Sequence, residues 1–192
     1  MKNVFLTLSV IIGLMAPLVG IYSMLKKKFR PQRMTRFLLV SLNFLFVGTL
    51  FAQGDRNAIY LASAILLSNL VVFVLSIKYG IGGTTKLDIF ILFMTIFSLF
   101  IWQSTRNPVL GLVMSIITDF IAVIPTLVKT WVIPETEEWR FYIVDSISGF
   151  FNILSISVFT IGKLAFPLYV FFISSTLGLI IILRKKYLKI IN

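Results

Sequence analysis

The 192-residue sequence contains no cysteine and no histidine. Disulfides, thiolate nucleophiles, imidazole acid–base chemistry and histidine- or cysteine-ligated zinc are therefore excluded, and nothing reports on the redox compartment. Charge is also scarce. Only 13% of residues are charged and seven are acidic, whereas an ordinary soluble domain carries roughly a quarter charged residues. What fills the chain is hydrocarbon: 58% of residues are hydrophobic and the mean hydropathy is +1.00. A chain of this length could bury a core but has too little polar surface to cover one. The fold class this implies is an all-α integral membrane protein. The net charge of +11 does not suggest nucleic acid. The bases cluster beside apolar runs, the pattern that orients membrane helices, and are not spread over a polar face.

A spanning helix needs about 20 largely apolar residues, with a range of about 17–25. Seven runs qualify or nearly do: 4–25, 37–51 (extended by snorkelling of 34–36), 58–77, 89–102, 109–130, 139–160 and 164–183. Polar turns at 52–57 and 103–108, a Gly-rich loop at 78–88 and a charged loop near 134–138 separate them. The first run is long enough to span and lacks a clean cleavage site, so it is expected as a retained helix and not a signal peptide. With seven crossings, fourteen of the 18 Lys and Arg fall on one side of the membrane and four on the other, Lys2, Arg56, Arg106 and Lys163. Arg36 counts among the fourteen as a loop base. The positive-inside rule then predicts a multi-pass protein of the cell inner membrane, N-terminus outside and C-terminus cytoplasmic.

The sequence also carries an internal echo. Pro17 and Pro125 are 108 residues apart, as are Lys78-Tyr79 and Lys186-Tyr187, and Arg36-Phe37 matches Arg140-Phe141 at a spacing of 104. A three-helix unit repeats in the same orientation only if one extra helix separates the copies. The expected organisation is a first triple-helix bundle over 1–80, a linker helix over 81–106 with few polar residues and a peripheral position, and a second bundle over 107–192.

Seven helices as 3 + 1 + 3 parallel repeats, with a proline in the first helix of each half, resemble the SWEET and PQ-loop superfamily of transporters. The stretch Pro125-Thr126-Leu127-Val128-Lys129-Thr130-Trp131, followed by Pro134-Glu135-Thr136-Glu137-Glu138, is similar to that family's Pro-Gln-x-x-Lys pattern and its following loop. The family Gln is replaced by Leu18 in one half and Thr126 in the other. Pro31-Gln32 falls in a loop, and Leu50-Phe51-Ala52-Gln53-Gly54 lacks the Trp of the sugar carriers' Trp-x-x-Tyr-Gly. The resemblance thus implies the architecture of bacterial PQ-loop-like proteins, and not a sugar substrate.

A few polar side chains interrupt the apolar runs. Asp119 lies mid-helix, where a carboxylate costs about 2.5–3.5 kcal/mol on insertion scales and normally faces a cavity or a partner. Ser115, Thr118 and Thr126 lie near its arc. Asp145, Ser148 and Asn152 form a stripe at i, i+3 and i+7 on the sixth run, with ion pairing of Asp145 to Lys129 or Arg140 as the plainer alternative. Asn43 in the second run and Asn69 in the third complete the substrate-binding candidates: Asp119, Asn69, Asp145, Asn152 and Asn43. For Asn69 an interhelical amide bond is the plainer alternative, and for 174–176 close helix packing is favoured. Pro17 and Pro125 each remove a helix hydrogen bond and are the expected hinges, with a static kink as the other reading. Glu135, Glu137 and Glu138 are expected to be a solvated first turn, and Trp102, Trp131 and Trp139 interfacial anchors.

These features predict a small-molecule carrier, a uniporter or proton-linked, whose partners are an unidentified small-molecule substrate and the lipid bilayer. No nucleic acid, cofactor or metal is expected, and self-association into a homo-oligomer is left open. The alternative is a non-transporting membrane scaffold or receptor subunit. An enzyme is not expected, because the two carboxylates come without a nucleophile–base pair or metal motif.

Overall fold

The computed structural model describes residues 1–191, and side chains through residue 188. The described chain is helical without strands; one isolated bridge pairs Gln32 with Ile81. The helices are α1 (Lys2–Gly13), α2 (Ala16–Leu25), α3 (Arg33–Gln53), α4 (Arg56–Tyr79), α5 (Lys86–Thr105), α6 (Pro108–Val132), α7 (Trp139–Ser155) and α8 (Ile161–Ile191), with a 3₁₀ turn at Pro134–Thr136. Among the described residues six helical segments are long and apolar enough to cross a membrane, α1 and α2 counting together as one. This is a helical, multi-pass membrane protein. The remaining helix, α7, has 17 residues.

Local chemistry sets the boundaries. Gly54 ends α3 at φ +68, with its N–H and that of Asp55 returning to Phe51 and Leu50 carbonyls. One residue on, the Asp55 carboxylate caps α4 by accepting from Asn57 and Ala58 N–H. Asn107 caps α6 in the same way, with Pro108 in the first turn where its missing N–H costs nothing. Helix α5 starts at Lys86, three residues earlier than the apolar run suggested, because Thr85 and Asp88 form a reciprocal capping box. The first run is not one helix. It breaks at Leu14 and Met15, and Pro17 sits in the first turn of α2, where a proline is tolerated. Pro125, by contrast, lies inside an unbroken α6. Helix α7 stops at Ser155 and not near 160, since Asn57 Nδ2 donates to the Ser155 carbonyl at 3.0 Å and Ile156 turns extended.

The helices close into a ring. α1 and α2 pack on α4, α4 on α3, α3 on α6, α6 on α8, α8 on α7, and α7 back on α1 and α2. α5 lies outside the ring against α3 and α6, in the peripheral position its low polar content suggested. Gly149 brings α7 within contact of the α8 backbone: a Cβ there would sit 3.0 Å from Phe171 N. Beside it, the Ser146 and Ser175 hydroxyls meet at 2.6 Å, so part of the small-residue run on α8 serves helix packing.

The two ends of the bundle differ in charge. At one end the 26–32 loop, the 80–85 loop, the 133–138 segment and the far end of α8 meet. Arg30 N–H donates to the Thr136 carbonyl, Ile81 N–H to the Pro31 carbonyl, and Lys185 Nζ to the Glu137 carbonyl. At the other end Gln53 reaches Pro108 and Asn57 reaches Ser155. The basic residues concentrate at the first end.

Candidate functional site

A cavity of about 80 Å³ lies inside the ring, walled by α3, α4, α6, α7 and α8. Its polar lining consists of Arg36, Asn43, Asn69, Asp119, Tyr142, Asp145, Tyr169 and Ser174, set among Leu39, Phe46, Phe141, Phe166 and other apolar side chains. Four of the five residues expected at a binding site, Asn43, Asn69, Asp119 and Asp145, therefore share one chamber. Each belongs to a different helix and sits well inside it.

The fifth, Asn152, does not reach the cavity. It is fully buried beneath α1, donating to the Asn57 carbonyl at 3.1 Å and to Ser9 Oγ at 3.4 Å. Its neighbour on the stripe, Ser148, donates to the Ser9 carbonyl at 2.7 Å. The polar stripe of α7 is thus divided. Asp145 turns to the chamber, while Ser148 and Asn152 tie α7 to α1 and α4. The arc around Asp119 divides similarly: Ser115 bonds its own Gly111 carbonyl and Thr118 meets Ser98 of α5 at 3.0 Å, away from the chamber.

The two carboxyl groups are held differently. Asp119 accepts a short hydrogen bond from the Tyr169 hydroxyl. Asp145 has no ion pair with Lys129 or Arg140, and its Oδ1 is buried without a protein partner. Asn43 donates to the Leu39 carbonyl one turn back, which leaves its Oδ1 likewise buried and unpartnered. In low-dielectric surroundings such atoms are costly unless something else satisfies them.

Arg36 is the main departure from the sequence reading. It is not a loop base: it lies in the first turn of α3 and is only 5% exposed. Its Nη1 donates to Asn69 Oδ1 at 3.1 Å and its Nη2 to the Tyr142 hydroxyl at 3.3 Å. The guanidinium lies 5.3 Å from the Phe29 ring centre and 5.6 Å from that of Phe141, within cation–π range. Arg36 and Asn43 are seven residues apart, so the same i, i+7 pattern that marked Asp145 and Asn152 was present on α3. Tyr142 and Tyr169 were also missed, because a lone tyrosine in an apolar run looks like an ordinary packing residue.

The acidic segment is a second correction. Glu137 and Glu138 are buried, and only Glu135 is exposed. Glu137 pairs with Lys129 at 2.8 Å and accepts from the Tyr142 hydroxyl at 2.8 Å. Lys129 Nζ also donates to the Arg30 carbonyl at 2.6 Å. Glu138 accepts from Ser23 at 3.1 Å and caps α7. A bonded chain therefore runs from Lys129 through Glu137, Tyr142 and Arg36 to Asn69, across the basic end of the chamber. At the opposite end the chamber is bounded by Phe46 of α3 and Phe166 of α8, both buried, with ring centres 4.9 Å apart. Trp102 lies near the end of α5. It is half-buried and packs against Gly48 and Gly111, joining α5 to α3 and α6.

Chemically, the chamber offers two carboxyl groups, one guanidinium, two amides and two phenols, each from an interior face. Among the described residues no group of His, Cys, Asp and Glu side chains is arranged to hold a metal ion. The fold and chamber define the class: a helical multi-pass membrane protein with a small, largely apolar internal cavity that several polar side chains line. No family model, curated protein or solved structure matches the chain.

Proposed function

We propose that the protein is a small-molecule carrier of the SWEET and PQ-loop type, working by alternating access around the internal chamber. The observation that carries this reading is the chamber itself, lined by several polar side chains, deep between the ends of the bundle, and bounded differently at each end. Carriers built from repeats hold substrate at such a place, between the units. In this reading α7 is a seventh crossing; 17 residues lie at the short limit of a spanning helix. The ring order supports a pair of units. The sequence α1/α2, α4, α3 is followed by α6, α8, α7, and a half-turn of the ring exchanges first, third and second crossings with fifth, seventh and sixth. α5 is then the linker outside both. The positive-inside rule assigns the basic end to the cytoplasm and the N-terminus to the outside. Pro125 and the break before Pro17 are the hinge candidates.

The absence of cysteine supplies a clean test. Ser174→Cys puts a single thiol on the chamber wall. In sealed vesicles of known orientation, a carrier lets a membrane-impermeant maleimide label it from each side in turn, and a saturating substrate slows labelling. A thiol unreachable from either side in folded protein favours the scaffold reading instead. The Tyr169–Asp119 bond is the observation on that side, since it ties down one of the two carboxyl groups.

A further inference from the structure

Several buried polar atoms lack partners, but those of Ser68, Asp55 and Asn152 are single atoms away from the chamber. The other two, Asp145 Oδ1 and Asn43 Oδ1, both belong to side chains that line it. These residues are 8% and 3% exposed. Both free atoms are acceptors. The two phenols are engaged, Tyr169 on Asp119 and Tyr142 on Glu137, and so are one N–H of the Asn43 amide, on Leu39, and two of the five Arg36 N–H groups, on Asn69 and Tyr142. Phe29 and Phe141 flank the Arg36 guanidinium. At the two orphan oxygens a complementary ligand brings hydrogen-bond donors.

Charge points the same way. The wall carries two carboxyl groups against one guanidinium, and neither carboxyl group is in an ion pair; the ion pair among the described residues is Lys129–Glu137. Phe46, Phe141 and Phe166 add aromatic surface, which attracts cations by its quadrupole. Size narrows the choice further. At about 80 Å³ the chamber is roughly half the ~150 Å³ apolar cavity that admits benzene. In this conformer it suits a headgroup of a few heavy atoms and not a sugar ring.

We propose that the ligand is a small organic cation with N–H donors, an alkylammonium or guanidinium compound, whose positive group docks between Asp145 and Asn43. This rests on the carrier reading of the chamber. An ammonium there would satisfy both orphan oxygens and offset the cost of an ionised carboxylate at this depth. Asp119, already bonded to Tyr169, would face the ligand's remaining N–H groups or its counter-end.

The test is isothermal titration of the purified full-length protein in lipid nanodiscs with ethylamine, agmatine, tetramethylammonium, glycine and glucose. The amines should bind, and tetramethylammonium, which has the charge without an N–H, should bind at least tenfold more weakly. Asp145→Asn should weaken amine binding at least tenfold and Asn43→Ala several-fold, with melting temperatures near that of the wild type. Should Asp145→Asn fail to fold, Asn43→Ala and the wild-type ligand series decide. Amine binding untouched by both substitutions overturns the docking site. Glycine binding more tightly than the amines, or a wild type that ignores every amine, overturns the ligand class. Glucose binding equally to wild type and Asp145→Asn overturns the cation and leaves a carrier. Absence of binding by every probe, together with a Ser174→Cys thiol sealed from both sides, removes the carrier reading as well.

Discussion

The two ends of the chamber are bounded by opposite kinds of chemistry. At the basic end the closure is a chain of directed bonds through Lys129, Glu137, Tyr142 and Arg36. At the other it is the contact of two phenyl rings, Phe46 and Phe166. A directed network exists in one arrangement or not at all, because each group left behind when it opens is a buried polar atom without a partner. A ring contact has no such threshold. It can slide, and lipid tails are as apolar as its partner. In the carrier reading, the comparison makes the basic end a candidate latch, with a discrete open and closed state, and the other end a soft plug.

The largest blow to this asymmetry is expected from Glu137→Ala. It takes the charge partner from the half-buried Lys129, which keeps the Arg30 carbonyl, and the acceptor from the buried Tyr142 hydroxyl, a loss of about 3 kcal/mol, the low end of the rule for broken buried pairs. Thermal melting in lipid should show it, with labelling of Ser174→Cys from the basic side sharply accelerated. Glu137→Gln should recover part of the loss, because an amide oxygen can still accept from Tyr142. Phe46→Ala comes next. In a bilayer the water-transfer part of the cost is missing, so the void dominates. At ~24 cal/mol per Å³ over roughly 100 Å³, the cost is about 2 kcal/mol. Labelling from the base-poor side should rise without any change at the latch. If both substitutions accelerate labelling from the same side, the two-closure comparison is wrong. The smallest effect is expected from Asn152→Ala. Losing its bonds to Asn57 and Ser9 should cost about 1 kcal/mol in melting, and leave ligand binding unchanged, since it lies outside the chamber. A binding defect there would return Asn152 to the site.

Much of this was readable from residue order, for reasons that differ by element. The turns at Gly54-Asp55 and Asn107-Pro108 carry their own capping chemistry, so local sequence determines them. Asn43, Asn69, Asp119 and Asp145 stood out because each is an isolated polar group in hydrocarbon, where cost alone demands a reason. Asn152 has the same chemistry and a different fate, because α1 covers that part of α7, and this depends on the ring closing. Arg36 was hidden at the end of a base-rich stretch, 26–36. Its burial depends on Phe29 and Phe141 meeting around it from positions more than a hundred residues apart. Glu137 and Glu138 looked solvated because an acidic run normally is; Lys129 and Ser23, brought in by tertiary packing, reverse that. The break at Leu14 and Met15 was not expected, since the first run was read as one helix with a hinge or kink at Pro17. Its actual place follows from the proline's missing N–H, which is harmless only in the opening turn of α2.

The bonds from Ser148 and Asn152 to Ser9 have a consequence for how the chain is made. Their partners are separated by 139 and 143 residues. At synthesis rates of about 5–20 residues per second, the first helix waits on the order of ten seconds before its seat on α7 emerges. During that interval Ser9 and Gly13, which end fully buried, face lipid or a temporary neighbour. The seating of α1 on α7 is thus a meeting of an early segment with a late one, and that contact is limited by translation order before it is limited by packing.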